Sequence, residues 1–241
     1  MKIELNKKRF VLKQIYKIYG DFADTLDVAC KKYCSQCCTN DVIMTTLEGQ
    51  LIIEYVLESE PFEWLKKVEK GVSKKRFLPQ TTTNKMAELC RKGKELPQED
   101  RTHAEDICPL LTDDECPVYT VRPFGCRCLV STHDCRQKGY ASVDSFVLSA
   151  NHLFLQFIEH VDANGFSGNF TDVLLFMASK ENRIGYETDT LKDSEIILKS
   201  KLISNLPMKV LMIPPEHRIQ IQPILDALNN IKMPPDKTND M

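Results

Sequence analysis

The chain has 241 residues, of which 42% are hydrophobic and 27% are charged, a composition typical of a folded globular protein. Its formal charge of −2 provides no general attraction to nucleic acid, so we expect no nucleic-acid partner. Because the chain contains no run of about eighteen apolar residues, we expect no membrane-spanning helix. Lys13 and Lys17 interrupt the apolar residues near the N-terminus. A signal peptide needs an unbroken apolar region there, so we expect a cytoplasmic protein.

The first part of the chain is predicted to be helical. Apolar residues recur at helical spacing from about residue 9 to residue 29, which predicts a first helix that ends at Cys30. Thr45 and Glu48 have the spacing of a capping box, in which each residue satisfies the backbone N–H of the other. This pair predicts the start of a second helix at residue 45.

Residues 97 to 140 are instead rich in Pro, Gly, Asp and Cys. We interpret this segment as turns with short strands near Leu110–Leu111 and Val118–Tyr119. Such a segment has little hydrophobic core of its own. Its cysteines are therefore the residues that we expect to hold it in place.

The C-terminal part returns to helical patterns. Residues 142 to 163 have the clearest helical period, with Ser142 as the expected N-cap and Gly165 as the expected stop. The remaining predictions are a helix opened by Pro61, a weaker helix at about 84–95, shorter helices at about 170–180, 192–204 and 217–231, a short strand at 209–213 and a frayed tail at 233–241.

These patterns together predict a mainly α fold in a single domain. It would be a helical domain with an irregular cysteine-rich metal-binding segment and a few short strands. The expected parts are a single domain over 1–241, a cysteine-cluster region over 30–135 and a C-terminal helical part over 142–231.

Cysteine is the most informative residue type in this sequence. Four of the ten cysteines lie within nine residues, and five more form a later block; the two blocks are Cys30, Cys34, Cys37 and Cys38, then Cys108, Cys116, Cys126, Cys128 and Cys135. A cytoplasmic chain of this length needs no disulfide staples and keeps its thiols reduced, which favours metal binding. Cys90 lies apart from both blocks and is expected to be a small buried side chain.

The spacing of the cysteines bears on which metal they would bind. Structural zinc sites usually combine two short Cys knuckles, whereas here only Cys34 and Cys37 form one. Single cysteines from separated loops are common ligands of iron–sulfur clusters, and the adjacent pair Cys37 and Cys38 suits a multinuclear site or two neighbouring metals. The pattern therefore favours an iron–sulfur cluster over a single zinc ion and leaves both open. His133 is a weaker candidate ligand.

Two arginines flank Cys126 closely. Arg122 and Arg127 could donate hydrogen bonds to sulfur or tie down the loop, and this is their expected supporting role. The alternative is that each pairs with a carboxylate such as Asp113 or Asp114.

At these residues the chain resembles the YkgJ-like family, also described as CxxCxxCC cysteine-cluster proteins. The matching motifs are Cys34-Ser-Gln-Cys37-Cys38, Cys108-Pro-Leu-Leu and Cys116-Pro-Val-Tyr-Thr-Val-Arg122-Pro-Phe-Gly-Cys126-Arg127. The family usually has Gly in the first motif, where Ser35 and Gln36 stand here. It has an aromatic residue where Leu129 stands, and it lacks Cys128. The resemblance implies a protein that chelates zinc or iron through the cysteines of both blocks.

Two enzymatic readings remain as alternatives. A related cysteine-cluster protein is the flagellin lysine-N-methylase, which motivates an S-adenosylmethionine-dependent modification of a protein. Cys30-x3-Cys34-x2-Cys37 also matches the radical S-adenosylmethionine spacing, although no strand–helix alternation of a barrel follows it. The expected partner of the chain is a metal ion or cluster, with a protein partner left open.

Overall fold

The computed structural model describes residues 2–59, 63–100, 106–191 and 199–233. Within these ranges the fold is mainly α with a few short strands, as the sequence predicts. The helices are α1 (Lys2–Ala23), α2 (Thr46–Ser59), α3 (Glu63–Val72), α4 (Thr83–Arg91), α5 (Phe124–Arg127), α6 (Cys135–Lys138), α7 (Ser145–Val161), α8 (Phe170–Ala178), α9 (Lys180–Glu187) and α10 (Arg218–Asn229). Short 3₁₀ turns lie at Tyr119–Val121 and Pro215–His217.

A small antiparallel sheet lies between the helices. Its strands are β1 (Ile43–Thr45), β2 (Phe166–Asn169) and β3 (Ile203–Ser204), in that order across the sheet. Met44 pairs with Gly168, and Ser167 pairs with Ile203. The helices α2 and α3 pack on α8, while α1 packs on α7 and α10. The sheet therefore joins the chain just after the first cysteine block to the C-terminal helices.

An aromatic cluster fills the space between α1, α5 and α7. The ring of Tyr19 meets the rings of Phe124 and Phe154 edge-on, with centroids 4.8 Å and 5.0 Å away. Phe124 and Phe154 stack at 5.7 Å, and Phe22 closes the cluster on the α1 side. Edge-on and offset aromatic pairs add about 1 kcal/mol each beyond the burial of their area. The short helix α5, which carries Cys126, is thus anchored to two long helices.

A buried carboxylate at the end of α7 joins three further segments. Asp162, which is fully buried at the end of α7, accepts hydrogen bonds from Thr46 Oγ1 at 2.7 Å and from the backbone N–H of Leu47 at 3.0 Å. Tyr186 Oη donates to it at 2.6 Å, and Asn205 Nδ2 donates at 3.3 Å. Because Thr46 and Leu47 begin α2, the side chain of Asp162 caps that helix from a distance in sequence.

Several predicted helix limits need correction. The first helix runs over Lys2–Ala23, so it ends seven residues before Cys30 and does not carry that cysteine at its end. The N-cap of α7 is Asp144, whose carboxylate accepts from the Phe146 N–H, and not Ser142. An additional helix, α9, follows α8, because Ser179 ends one helix and caps the next. The predicted helix at 192–204 is wrong at its end, where Ile203–Ser204 is a strand.

The irregular segments also differ in detail from the prediction. No strand is found near Leu110–Leu111, near Val118–Tyr119 or at 209–213, all of which lie in described ranges. Cys90 is exposed on α4 and is not a buried hydrophobe. The helix of 217–231 is confirmed as α10. Pro61, residues 192–198 and the tail from residue 234 lie outside the described residues.

None of the helices in the described ranges is long and apolar enough to cross a membrane.

The Asp162 network predicts a large loss of stability on its removal. Asp162→Ala would leave buried hydroxyl and N–H donors of Thr46, Leu47 and Tyr186 without an acceptor, so we expect the free energy of unfolding to fall by about 3 kcal/mol. Urea unfolding followed by circular dichroism measures it. The matched control is Asp21→Ala on the exposed face of α1, expected to change stability by less than about 0.5 kcal/mol. Equal effects of the two variants would contradict the network.

Candidate metal centre

The two cysteine blocks meet through their backbones. The Cys108 N–H donates to the Cys38 carbonyl at 2.8 Å, and the Asn40 N–H donates to the Asp106 carbonyl at 3.0 Å. Thr39 and Ile107 form an antiparallel bridge between these two bonds. The loop after α1 and the loop after α4 thus run side by side at their cysteines.

Seven of the nine cysteines predicted as ligands line one cavity of about 310 Å³. They are Cys30, Cys34, Cys37, Cys38, Cys108, Cys116 and Cys126. All ten cysteines of the chain lie in described ranges, and each is a free thiol. The site therefore combines thiols from both sequence blocks.

Cys128 and Cys135 lie outside this cavity. Together with Cys37 they line an adjoining cavity of about 600 Å³, whose walls include Phe77, Leu129 and Tyr140. The Cys128 thiol donates to the Gly125 carbonyl at 3.6 Å, and burial raises its pKa to about 12. Cys37 is thus the one cysteine that lines both cavities.

His133, the weaker candidate ligand, is held away from the seven cysteines. Its Nε2 lies 2.9 Å from the Tyr140 carbonyl, and its ring meets the Tyr140 ring edge-on at 5.0 Å. The imidazole is thus engaged by Tyr140, and it does not line the cavity of the seven cysteines.

The carboxylate of Glu48 positions the segment that carries Cys126. Glu48 Oε1 accepts from the Phe124 N–H at 2.7 Å and from Tyr16 Oη at 2.6 Å, while Oε2 accepts from the Thr45 N–H at 2.8 Å. The Glu48 N–H lies 3.3 Å from Thr45 Oγ1, so the predicted capping box is confirmed. One buried side chain therefore connects α1, the start of α2 and the first residue of α5.

Gly125 allows α5 to lie directly against β1. A Cβ atom at this position would collide with the Ile43 carbonyl oxygen and touch Val42. Only glycine permits such a close approach of two backbones. The glycine next to Cys126 therefore sets how deeply that cysteine sits in the molecule.

The two arginines tie down the loop that carries Cys126. Arg122 donates to the Tyr119 carbonyl at 2.8 Å and stacks on the Tyr119 ring, with its guanidinium 3.8 Å from the ring centroid. Arg127 donates to the Arg122 and Thr120 carbonyls at 2.8 and 2.9 Å and covers the Tyr16 ring at 4.2 Å. Both side chains also line the cavity.

Asp113 and Asp114 form a turn instead of pairing with these arginines. Both residues have positive φ values, 50° and 62°, and they connect Thr112 and Glu115, which exchange two backbone hydrogen bonds. This is the geometry of a two-residue hairpin turn, for which Asp is one of the tolerant residues. Ser35 donates to Asp114, which links this turn to the first cysteine block.

Burial dominates the electrostatics of the thiols. Burial raises the pKa of Cys126 well above its usual range, and the nearby Cys108 and Cys116 raise it further. Burial also raises the pKa of Cys108 and Cys116, while backbone N–H groups two residues on, at Leu110 and Val118, hydrogen-bond to the sulfurs and lower it by less.

The first block behaves in the same way. A hydrogen bond with Cys38, followed by burial, raises the pKa of Cys37. Burial raises the pKa of Cys30, and the sulfurs of Cys37, Cys135 and Cys34 add to this. In the metal-free chain these thiols keep their protons at neutral pH, so a metal would have to displace them. Metal affinity should accordingly rise with pH.

The side chains around the cavity carry an excess of positive charge. Lys31, Lys32, Arg122 and Arg127 line it, against the one carboxylate of Asp24 among its lining residues. No three His, Cys, Asp or Glu side chains within the described ranges converge on a point as the ligands of a single metal ion do. The thiols instead surround a space.

Comparison of the chain with protein-family models, with curated proteins and with solved structures finds no match.

Three residues that hold the helix of Cys126 in place carry no signal in the cysteine pattern. Tyr16 and Tyr19 belong to α1, where their spacing is that of any buried helix face, and Glu48 is recognisable in the sequence only as a helix cap. Their importance comes from α1, α2 and α5 meeting in space. A pattern read along one segment does not contain that information.

The position of Glu48 predicts a coupled effect on stability and on Cys126. Glu48→Ala leaves the N–H of Phe124 and the hydroxyl of Tyr16 without an acceptor, so we expect a loss of about 3 kcal/mol in unfolding free energy. We also expect faster alkylation of Cys126 by iodoacetamide, measured by peptide mass spectrometry. Glu69→Ala, at an exposed position of α3, is the control. An unchanged alkylation rate at Cys126 would contradict the positioning role of Glu48.

Proposed function

We propose that the chain is a metal-binding protein that holds an iron–sulfur cluster or zinc through cysteine thiolates of both sequence blocks. The observation that carries this proposal is the single cavity lined by seven cysteines. The donors are all sulfur, which suits zinc and iron–sulfur clusters and not calcium or magnesium. The resemblance of the cysteine motifs to the YkgJ-like family points the same way.

The size of the cavity favours a cluster over a single ion. About 310 Å³ is room for roughly ten water molecules of about 30 Å³ each, far more than one ion needs. Thiols arranged around a space of this size suit a centre that has several atoms of its own. An iron–sulfur cluster supplies such atoms and, when bound, provides electron-transfer or structural chemistry.

The charges around the cavity support thiolate ligands. Each thiolate adds a negative charge, which is costly to bury without compensation. Lys31, Lys32 and the two arginines supply positive charge at the cavity wall. The charge of Arg122 also lowers the pKa of Cys37 and of Cys116, although by less than the opposing effects raise it. The chain's own contribution would be to hold the thiols, neutralise their charge and shield the site from water.

The test is anaerobic purification followed by visible absorption and by iron, sulfide and zinc analysis. We expect a coloured protein that contains iron and sulfide. Cys37→Ser and Cys116→Ser, one from each block, should each lower metal content by at least half. Cys90→Ser is the matched control, because Cys90 is exposed on α4 and far from both blocks in sequence, and its metal content should equal that of the wild type.

Two outcomes would contradict the proposal in different ways. A colourless protein that contains zinc alone would rule out the cluster and leave the thiolate site standing. Metal content unchanged in both Cys37→Ser and Cys116→Ser would rule out a shared site.

The adjoining cavity supports a second candidate, a metal-dependent enzyme that modifies a protein with S-adenosylmethionine, as a lysine-N-methylase does. Its volume of about 600 Å³ lies in the range of small-molecule sites, and most of its walls are apolar. It shares Cys37 with the cysteine cavity, so a bound molecule would lie beside the metal centre. A closed structural metal site requires no such cavity.

Equilibrium dialysis of the metal-loaded chain with S-adenosylmethionine tests the enzymatic candidate. We expect saturable binding that Ala141→Trp weakens at least tenfold, because Ala141 lines this cavity and the indole would fill it. Ala227→Trp, at an exposed position of α10, controls for the added surface. Absence of binding, or equal binding by both variants, would leave the chain as a metal-binding protein without this activity.

A further inference from the structure

The same kind of backbone turn occurs twice in the second cysteine block. Each copy begins with a cysteine that is followed by proline, whose fixed φ suits the second position of a β-turn. The Leu111 N–H donates to the Cys108 carbonyl at 3.0 Å, and the Tyr119 N–H donates to the Cys116 carbonyl at 3.1 Å. A bond from the fourth residue to the first carbonyl closes a β-turn. Two cysteines of the cavity are therefore held by matching local structures.

The third residue of each turn anchors it to the hydrophobic core. Leu110 is 1% exposed and Val118 is 2% exposed, and both side chains pack in the core. Their backbone N–H groups hydrogen-bond to the sulfur atoms of Cys108 and Cys116. The buried side chains thus fix the backbone groups that orient the two sulfurs.

A hairpin turn joins the two copies. Thr112 and Glu115 exchange backbone hydrogen bonds at 3.0 Å and 2.8 Å around a two-residue turn. The segment Cys108–Tyr119, here called the double turn, is therefore hydrogen-bonded along its length. Because both of its cysteines line the same cavity, the double turn presents two ordered sulfurs to that cavity from one short segment.

The first cysteine block lacks such anchors. None of the residues 30–38 is buried, and Cys30 is exposed. Tyr33, which precedes Cys34, has a positive φ of 71°. Within the described ranges no three potential ligands converge as the ligands of one ion do. A metal ion that enters the cavity would therefore meet ordered sulfurs on the double turn, whereas the first block would have to move to reach it.

We propose that the double turn takes up the incoming metal ion first, with Cys108 and Cys116 as the initial ligands, and that the first cysteine block closes on the ion afterwards. This inference rests on the proposed function, because it assigns an order to the thiols of that centre. Each thiol gives its proton to water as its sulfur replaces a water molecule on the ion. Ligands that are already ordered lose less conformational entropy on binding than ligands that must first be ordered.

The test follows Co²⁺ uptake by the metal-free full chain in a stopped-flow instrument. Co²⁺ binds in the same kinds of thiolate site as zinc and iron, and its bonds to sulfur absorb in the near ultraviolet. We expect a fast phase from the double turn and a slower phase from the first block. Cys116→Ser should slow the fast phase at least tenfold. Cys34→Ser, which also replaces a partly buried thiol, should leave the fast phase unchanged and reduce the amplitude of the slow phase.

A second pair of variants tests the turn and leaves every thiol in place. Pro117→Gly frees the backbone of the second turn, so we expect the fast phase to become about fivefold slower while the final Co²⁺ content stays the same. Pro117→Ala, which restricts the backbone more than glycine, should restore part of the rate. Pro97→Gly, at an exposed loop position, is the matched control and should change neither. A lower stability of Pro117→Gly with an unchanged fast phase would contradict the positioning role of the turn.

The order of binding and the proposed function fail separately. A chain that takes up no Co²⁺, and that contains neither iron nor zinc when purified, would overturn the metal-binding function and the order together. A fast phase that Cys34→Ser slows as much as Cys116→Ser does would overturn the order alone and leave the shared centre standing.

Discussion

The hydrogen bonds of the Glu48 carboxylate are the interaction on which the site depends. Through Phe124 and Tyr16 this side chain joins α5 to α1, and through Thr45 it fixes the start of α2 against both. Burial, reinforced by the charge of Glu48, raises the pKa of Tyr16 well above its ordinary value, so the hydroxyl remains a donor. The Arg127 guanidinium then covers the Tyr16 ring at 4.2 Å. The second cysteine block is held in this way by polar contacts of the helical scaffold, in addition to any metal.

The first cysteine block has fewer ties of this kind. Its attachment is mainly backbone to backbone, through the Cys108 and Cys38 bond and through the Ala29 N–H, which donates to the Ser131 carbonyl at 2.8 Å. Tyr33 adopts a positive φ of 71° just before Cys34, a strained conformation for a bulky residue. A bound metal would order this loop against a segment already fixed by Glu48. Metal binding would then be coupled to the local folding of the first block more than to that of the second.

How much the sequence could predict depends on the range of the interaction. The capping box of Thr45 and Glu48, the long helix α7 and the helix α10 are local patterns, and each was predictable from spacing alone. The meeting of the two cysteine blocks was also predictable, because so many thiols in two separated blocks indicate one site that tertiary folding closes. The N-cap of α7 was misplaced, because Ser142 and Asp144 are both good caps and the sequence does not say which one the helix uses. The strand at Ile203–Ser204 follows from pairing with β2, which no local pattern encodes.

The central claim, that thiolates of both blocks surround one metal centre, is tested most directly by X-ray absorption at the metal edge of the purified chain. We predict a first shell made of sulfur alone, at about 2.3 Å for metals of this kind, with an additional iron–iron contribution if the centre is a cluster. Substitution of Cys37 or of Cys116 by serine should each replace a sulfur neighbour or remove the centre. A shell dominated by nitrogen or oxygen, or a spectrum unaffected by both substitutions, would contradict the account.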